Sequence, residues 1–198
     1  MELILTESQF RSLTLKLAID EIATYQKQPF NWGSEHNIYK TSDPNKLIKV
    51  GSEESINKWY ELFKAHPDIF VKVYKKGKVK HKTNDGNEIV SSYVMVEKLD
   101  TRAFKTLWYE FGKAIERYEE QIGQQDHLSV RYYFTKPEED LDFLINVGIS
   151  IKNNPQLHEK YLDFLRLMMH IGQLKAIPDI HIDQFGIDST GKIKCLDI

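Results

Sequence analysis

The chain has 198 residues, 41% hydrophobic and 28% charged, and 27 Lys and Arg against 29 Asp and Glu leave a formal net charge of -2. That is the arithmetic of an ordinary globular protein, and it excludes collagenous, disordered and coiled-coil chains. Near-balanced charge argues against bulk nucleic-acid affinity, and no apolar run approaches the roughly 18 residues of a membrane helix.

Thr6-Glu7-Ser8-Gln9 matches a capping box, and Phe10, Leu13, Leu17, Ile22 and Tyr25 recur at helical spacing, which predicts an amphipathic helix over residues 7–27 ended by Pro29. Glu2, Thr6 and Glu7 stand where a signal peptide would be basic and then apolar. Three short strands follow: Phe30 to Trp32, Asn37 to Thr41 and Leu47 to Val50, separated by turns at Gly33-Ser34 and at Ser42 to Asn45.

Gly51 and Ser52 open a helix with Ile56, Trp59, Tyr60 and Phe63 on one face, closing near His66-Pro67. Ile69 to Tyr74 and Val79 to Lys82 read as two strands broken at Lys76-Gly77, and Asn84-Asp85-Gly86-Asn87 is a hairpin turn into a strand from Glu88 to Leu99. The lysines at 72, 75, 76, 78, 80 and 82 make this the one locally basic stretch. It reads first as a solvated edge strand, and second as a phosphate-contacting ribbon beside Tyr74.

Beyond Asp100 the pattern turns helical. Phe104, Leu107, Trp108, Phe111, Ile115 and Tyr118 form one stripe. Thr135-Lys136-Pro137-Glu138 has the form of a capping box heading a helix that carries Leu141, Leu144, Ile145 and Ile151. Asn153-Asn154-Pro155 punctuates it, and a third helix runs from about Gln156 to Leu174, with Met168 and Met169 as core filler. Residues 177–198 read as short strands around a turn at Ser189-Thr190-Gly191. The expectation is therefore an α+β, two-lobed chain: a β-rich lobe over residues 1–99 and a helical lobe over residues 100–198.

Cys195 is the only cysteine, so it forms no internal disulfide; this fits a reducing, cytoplasmic compartment. On its strand it reads as a small buried hydrophobe rather than a nucleophile. No His or Cys spacing supports a zinc site. The final segment is richer. Asp179, an amide at Gln184 and a carboxylate at Asp197 after an intervening turn are the residue types that phosphoryl transfer requires: a carboxylate for the attacking hydroxyl and oxygen ligands for Mg²⁺.

Asp179-Ile180-His181-Ile182-Asp183-Gln184, with Asp197 beyond, resembles the D-x-H-x-x-N catalytic loop and metal-binding strand of the protein-kinase-like superfamily, as in aminoglycoside phosphotransferases and small phage-encoded kinase-like proteins. The resemblance implies a two-lobed kinase-like fold with a five-stranded antiparallel N-terminal lobe and a reduced, truncated helical C-terminal lobe. It implies Asp179 as the catalytic carboxylate, and Gln184 and Asp197 at the metal-binding positions. Gly33 and Ser34 fall at the phosphate-covering turn and Lys49 at the third-strand lysine that holds nucleotide phosphates. Glu97 and Leu99 fall where the hinge offers backbone groups to adenine. His66 to Val71 resembles the link from the inserted helix to the fourth strand.

The implied cofactors are ATP and Mg²⁺, and the implied activity is phosphotransfer to a hydroxyl acceptor. The alternative is a pseudokinase that grips a partner protein, with or without nucleotide. Three departures favour that alternative. Gln184 stands in place of Asn. The glutamate expected to meet Lys49 falls in register on Asn57, leaving Glu53, Glu54 and Glu61 as candidates, with Glu54 nearest by helical spacing. No glycine follows Asp197, and the sequence ends at Ile198. Without the resemblance, Lys49 reads as a solvated strand lysine, Gly33 as a plain hairpin turn and Asp179 as a turn cap.

Overall fold

The computed structural model describes residues 31–32, 36–41, 43–82, 88–124, 129–174 and 181–196. The expected helix over 7–27, the turn at Asn84 to Asn87, and the candidate residues Gly33, Ser34, Asp179 and Asp197 lie outside the described residues. The chain divides into two compact units: residues up to Pro67 with Lys72–Lys98, and Asp68–Val71 with the chain from Leu99 onward.

Among the described residues, the first unit is an antiparallel sheet with one helix. Strands β1 (Asn31–Trp32), β2 (His36–Lys40), β3 (Lys46–Gly51), β4 (Val73–Lys82) and β5 (Glu88–Glu97) are ordered β1-β2-β3-β5-β4. β2 to β5 carry the sheet, and β1 adds two residues along β2. The turn into β3 is built by Asp43, whose carboxylate accepts from the Asn45 N–H at 2.9 Å and pairs with Lys46 at 2.8 Å. Between β3 and β4 lies helix α1 (Glu53–Ala65). Ser52 caps it by accepting from the Ser55 N–H at 3.1 Å, and its apolar residues Ile56, Trp59 and Phe63 are buried. Ile48 and Val50 of β3 pack with Tyr93 and Met95 of β5 in one buried cluster.

Here the structure corrects the sequence reading twice. β4 runs unbroken through Gly77, which sits opposite Tyr93; a Cβ on Gly77 would lie 2.8 Å from that ring. The glycine marks close approach of a neighbouring side chain, not a turn. And β4 begins at Val73: Asp68–Val71 belongs to the second unit, where Phe70 forms a parallel bridge with Cys195.

The second unit is helical, with a small hairpin. Helix α2 (Thr101–Ile122) starts from an Asp100 cap, whose carboxylate accepts from the Ala103 N–H at 2.9 Å, and stops at Gly123 in the left-handed conformation (φ 74°). α3 (Val130–Thr135) was not expected. The Thr135 hydroxyl donates to the Arg131 carbonyl at 2.7 Å, so this residue closes α3 instead of capping the next helix, which is α4 (Leu141–Ser150). Ile151 falls just past its end. α5 (Pro155–Gln173) begins one residue before the expected Gln156, on an Asn154 cap with proline in the first turn.

Aromatic rings fill this core. Phe164 of α5 lies 5.3 Å from Phe104, 4.8 Å from Phe134 and 5.2 Å from Phe185, centroid to centroid. Strands β6 (Phe185–Ile187) and β7 (Ile193–Cys195) form an antiparallel hairpin after a 3-10 turn at Ile182–Gln184. β7 is fastened to Asp68–Val71 by Cys195 N–H to Ile69 carbonyl and Val71 N–H to Cys195 carbonyl, both 2.9 Å. β6 is fastened to Asp100 by reciprocal bonds with Ile187. Cys195 is buried, as its strand position predicts.

Candidate functional site

Lys49 occupies the middle of β3, opposite Ile38 on one side and Val94 on the other. Strand alternation turns its side chain to the face opposite Ile48 and Val50. That is the helix side: the Lys49 ammonium stands 4.4 Å from the centroid of the Trp59 indole on α1. The lysine is only 2% exposed, so the solvated-strand reading is wrong. Desolvating an ammonium costs several kcal/mol, and a cation over an indole face recovers about 2 kcal/mol or more when both are dry. Trp59 is itself fixed by Phe63, whose ring centroid is 3.5 Å away.

Two of the three glutamates of α1 pair with β4. Glu53 pairs with Lys78 at 2.8 Å and Glu61 with Lys76 at 2.9 Å, while Lys76 also donates to Asn57 at 3.2 Å. Residues 53, 57 and 61 repeat every four positions and form one stripe facing β4. Glu54 is exposed to solvent. In the sequence Trp59 shows only as a member of the apolar 56, 59, 63 stripe, which had to face the sheet. The same ion pairs engage two lysines of the basic ribbon with helix α1, and β4 is an edge strand of its sheet. This is the arrangement of a solvated edge.

At the end of β5, the Glu97 N–H donates to the Lys72 carbonyl and the Lys98 N–H to the Asn45 carbonyl, at 2.9 and 2.8 Å. Leu99 is buried, and a Cβ on Gly186 would lie 2.5 Å from the Leu99 Cβ.

Gln184 ends the 3-10 turn. Its side-chain oxygen accepts from the His181 N–H at 3.0 Å, closing a capping box, and its own carbonyl accepts from the Leu196 N–H at 2.6 Å. The residue next to Asp197 in sequence is thus tied to Gln184. Beside it, Asp183 pairs with Lys105 of α2 at 2.6 Å.

In the hairpin turn, burial would push the Asp188 carboxyl up. Hydrogen bonds from the Thr190 hydroxyl and from the Lys192 and Thr190 N–H groups, with the Lys194 charge nearby, outweigh burial and hold it below the usual carboxylate range. Gly191 takes φ 85° there, and Lys160 of α5 donates to its carbonyl at 2.6 Å. A cleft of about 220 Å³ between α5 and the hairpin, edged by Asp68, Arg166, His170 and Lys192, contains no predicted site residue. Among the described residues, no three His, Cys, Asp or Glu side chains gather in a way that could hold a metal ion, and no helix is long and apolar enough to cross a membrane.

No family model and no curated protein matches the chain. Among solved structures it is similar to the L. pneumophila effector kinase LegK7 in complex with human MOB1A, at 12% identity and a TM-score of 0.47 over 96% of this chain and 34% of that one. It is also similar to WaaP in complex with acyl carrier protein, at 17% identity and a TM-score of 0.29 over 63% of this chain and 56% of that one. The chain thus spans about a third of the first of these and little more than half of the second.

Proposed function

We propose that the protein is a kinase-like, ATP- and Mg²⁺-dependent phosphotransferase acting on a hydroxyl acceptor. In this reading Lys49 steadies nucleotide phosphates, Gly33 and Ser34 cover them, and Glu97 and Leu99 meet adenine. Gln184 and Asp197 hold the metal, and Asp179 orients or deprotonates the acceptor. Rate enhancement comes from positioning and charge neutralisation, as this reaction class requires.

The observation that supports it is the burial of Lys49. A cation that costs several kcal/mol to desolvate sits at the centre of β3, where apolar neighbours would pack without that cost. The resemblance assigns this same lysine to phosphate. Incubation with γ-labelled ATP, divalent metal and a cell lysate should give transfer that Asp179→Asn abolishes. Absence of transfer with every metal tried counts against the reading.

A second reading, a pseudokinase that binds a partner protein, is favoured by one specific contact. The side-chain oxygen of Gln184 is already engaged by the His181 N–H, which directs it into its own turn. A ligand that binds only the folded state raises apparent stability by RT ln(1 + [L]/Kd). A melting-temperature rise with Mg-ATP and no turnover selects this second reading.

A further inference from the structure

We propose that the cleft between α5 and the β6–β7 hairpin binds a small zwitterion with an apolar side chain, of the class of a free aliphatic α-amino acid; the site is independent of the nucleotide reading. The cleft lies wholly within the second unit. Its floor is apolar: Ile69, Leu167 and Ile193 are 9, 6 and 5% exposed. Its rim carries charges of both signs. On the helix side Asp163, Arg166 and His170 share the face of α5 that bears Leu167, and Asp163 pairs with Arg166 at 3.2 Å. Opposite α5, Phe70 bridges Cys195 in parallel and the Ile69 carbonyl accepts from the Cys195 N–H, so Asp68 and Lys192, each just before that bridge, share the other wall.

The placement of charge selects the ligand. Among the described residues neither the Asp68 carboxylate nor the Lys192 ammonium has a hydrogen-bond or ion-pair partner, although both edge one small cleft. Two opposite charges that share a cleft without pairing leave a cation-binding and an anion-binding position beside the same apolar floor. A simple anion would answer Lys192 and meet Asp68 as a like charge, and a simple cation would do the reverse. A zwitterion answers both. Arg166 does not upset this balance, because Asp163 offsets it on the same helix turn. Size narrows the class further. At about 220 Å³ the cleft is smaller than the roughly 300–1,000 Å³ of pockets that take drug-sized ligands, which is too little for a nucleotide and suits a molecule of amino-acid size. The three aliphatic side chains of the floor favour an aliphatic ligand over a polar one, since covering them removes apolar surface from water.

The test titrates the full chain, its isoleucine methyls labelled with ¹³C, with L-leucine, glycine, isocaproate and isoamylamine. L-Leucine should shift the Ile69 and Ile193 methyl resonances saturably, each assigned by its loss in Ile69→Val or Ile193→Val. Isocaproate, which lacks the ammonium, and isoamylamine, which lacks the carboxylate, should each bind roughly two- to fivefold more weakly, the span of exposed charge pairs. Glycine, which keeps both charges and has no side chain, should also bind more weakly than leucine. Asp68→Asn should remove the advantage of leucine over isocaproate, and Lys192→Gln its advantage over isoamylamine, each leaving the other advantage in place. Both side chains are exposed, and unchanged positions of the remaining isoleucine methyls show that the variants keep the fold. Absence of a saturable shift up to the solubility of leucine overturns the proposal. So does isocaproate or isoamylamine binding as tightly as leucine, which marks a plain anion or cation site, and so does glycine binding as tightly, which leaves the apolar floor without a role. A leucine affinity that neither Asp68→Asn nor Lys192→Gln alters overturns it as well.

Discussion

Gly77 of β4 and Tyr93 of β5 are register partners, and the tyrosine ring lies over the glycine so closely that an added Cβ would meet Cε1 at 2.8 Å and the hydroxyl oxygen at 3.0 Å. Tyr93 is buried in the cluster with Ile48, Val50 and Met95, so it has little room to give way. Gly77→Ala should therefore destabilise the first unit by about 1–3 kcal/mol, the usual cost of overpacking. Chemical denaturation measures it. Combined with Tyr93→Leu, the second replacement should cost less than it does alone, because the ring that clashes is gone; strict additivity would show that the two do not meet.

Lys49→Arg keeps the charge but adds atoms where the side chain is already 2% exposed. The expected result is a folded protein weakened by about 1–3 kcal/mol, read as a lower denaturation midpoint with an unchanged slope. A solvated lysine would tolerate the change within about 0.5 kcal/mol, so the same measurement separates burial from exposure.

Much of this architecture was legible in short-range signals. Ser52 before an apolar stripe, Asp100 before another, and Asn154-Pro155 each satisfy or remove orphan N–H groups at a helix start, and all three helices begin there. What was not legible depended on partners distant in sequence. Thr135 has a hydroxyl that suits either end of a helix, and only the Arg131 carbonyl beneath it decides which. Gly77 reads as a breaker until Tyr93 is seen across the strand. Asp68–Val71 has the composition of the strand it precedes, yet its hydrogen bonds go to Cys195. At the candidate site Lys49 is legible from its strand, whereas the approach of Trp59 depends on how α1 packs on the sheet, which local sequence does not encode.

Gly186 gives a parallel test in the second unit. A Cβ there would stand 2.5 Å from the Leu99 Cβ, an atom on the main chain's first carbon that no rotamer can move aside. The reciprocal bonds between Asp100 and Ile187 hold the two segments together. Gly186→Ala should cost at least the ~1–3 kcal/mol of overpacking and lower the melting temperature more than Gly172→Ala, whose Cβ would find its nearest neighbour at 3.8 Å.

The Asp188 turn sets a pH dependence with a definite sign. Its folded-state pKa is lowered, so the unfolded chain takes up the proton first as pH falls. The stabilisation is complete above the unfolded value near ~4 and disappears as pH drops through the lowered folded value. Asp188→Asn should destabilise by about 1 kcal/mol at neutral pH. The difference from the unmodified protein should shrink progressively below pH ~4. A difference that persists unchanged into acid would mean that the hydrogen-bonded carboxylate is not its source.

Gln184 offers the sharpest separation between a metal ligand and a turn residue. Its side chain reaches back three residues to the His181 N–H, and its backbone carbonyl holds Leu196. Asn is one methylene shorter, so Gln184→Asn should lose the capping bond and weaken the fold by about 0.5–2 kcal/mol, although asparagine is the amide that the resemblance favours for metal. Gln184→Glu preserves the reach and adds a negative charge, so it should keep stability within about 0.5 kcal/mol while increasing the melting-temperature rise on adding Mg²⁺ with ATP. If Gln184→Glu leaves that rise unchanged, the side chain serves the turn alone. If Gln184→Asn is as stable as the parent, the bond to His181 contributes nothing and the oxygen is at the disposal of a cation.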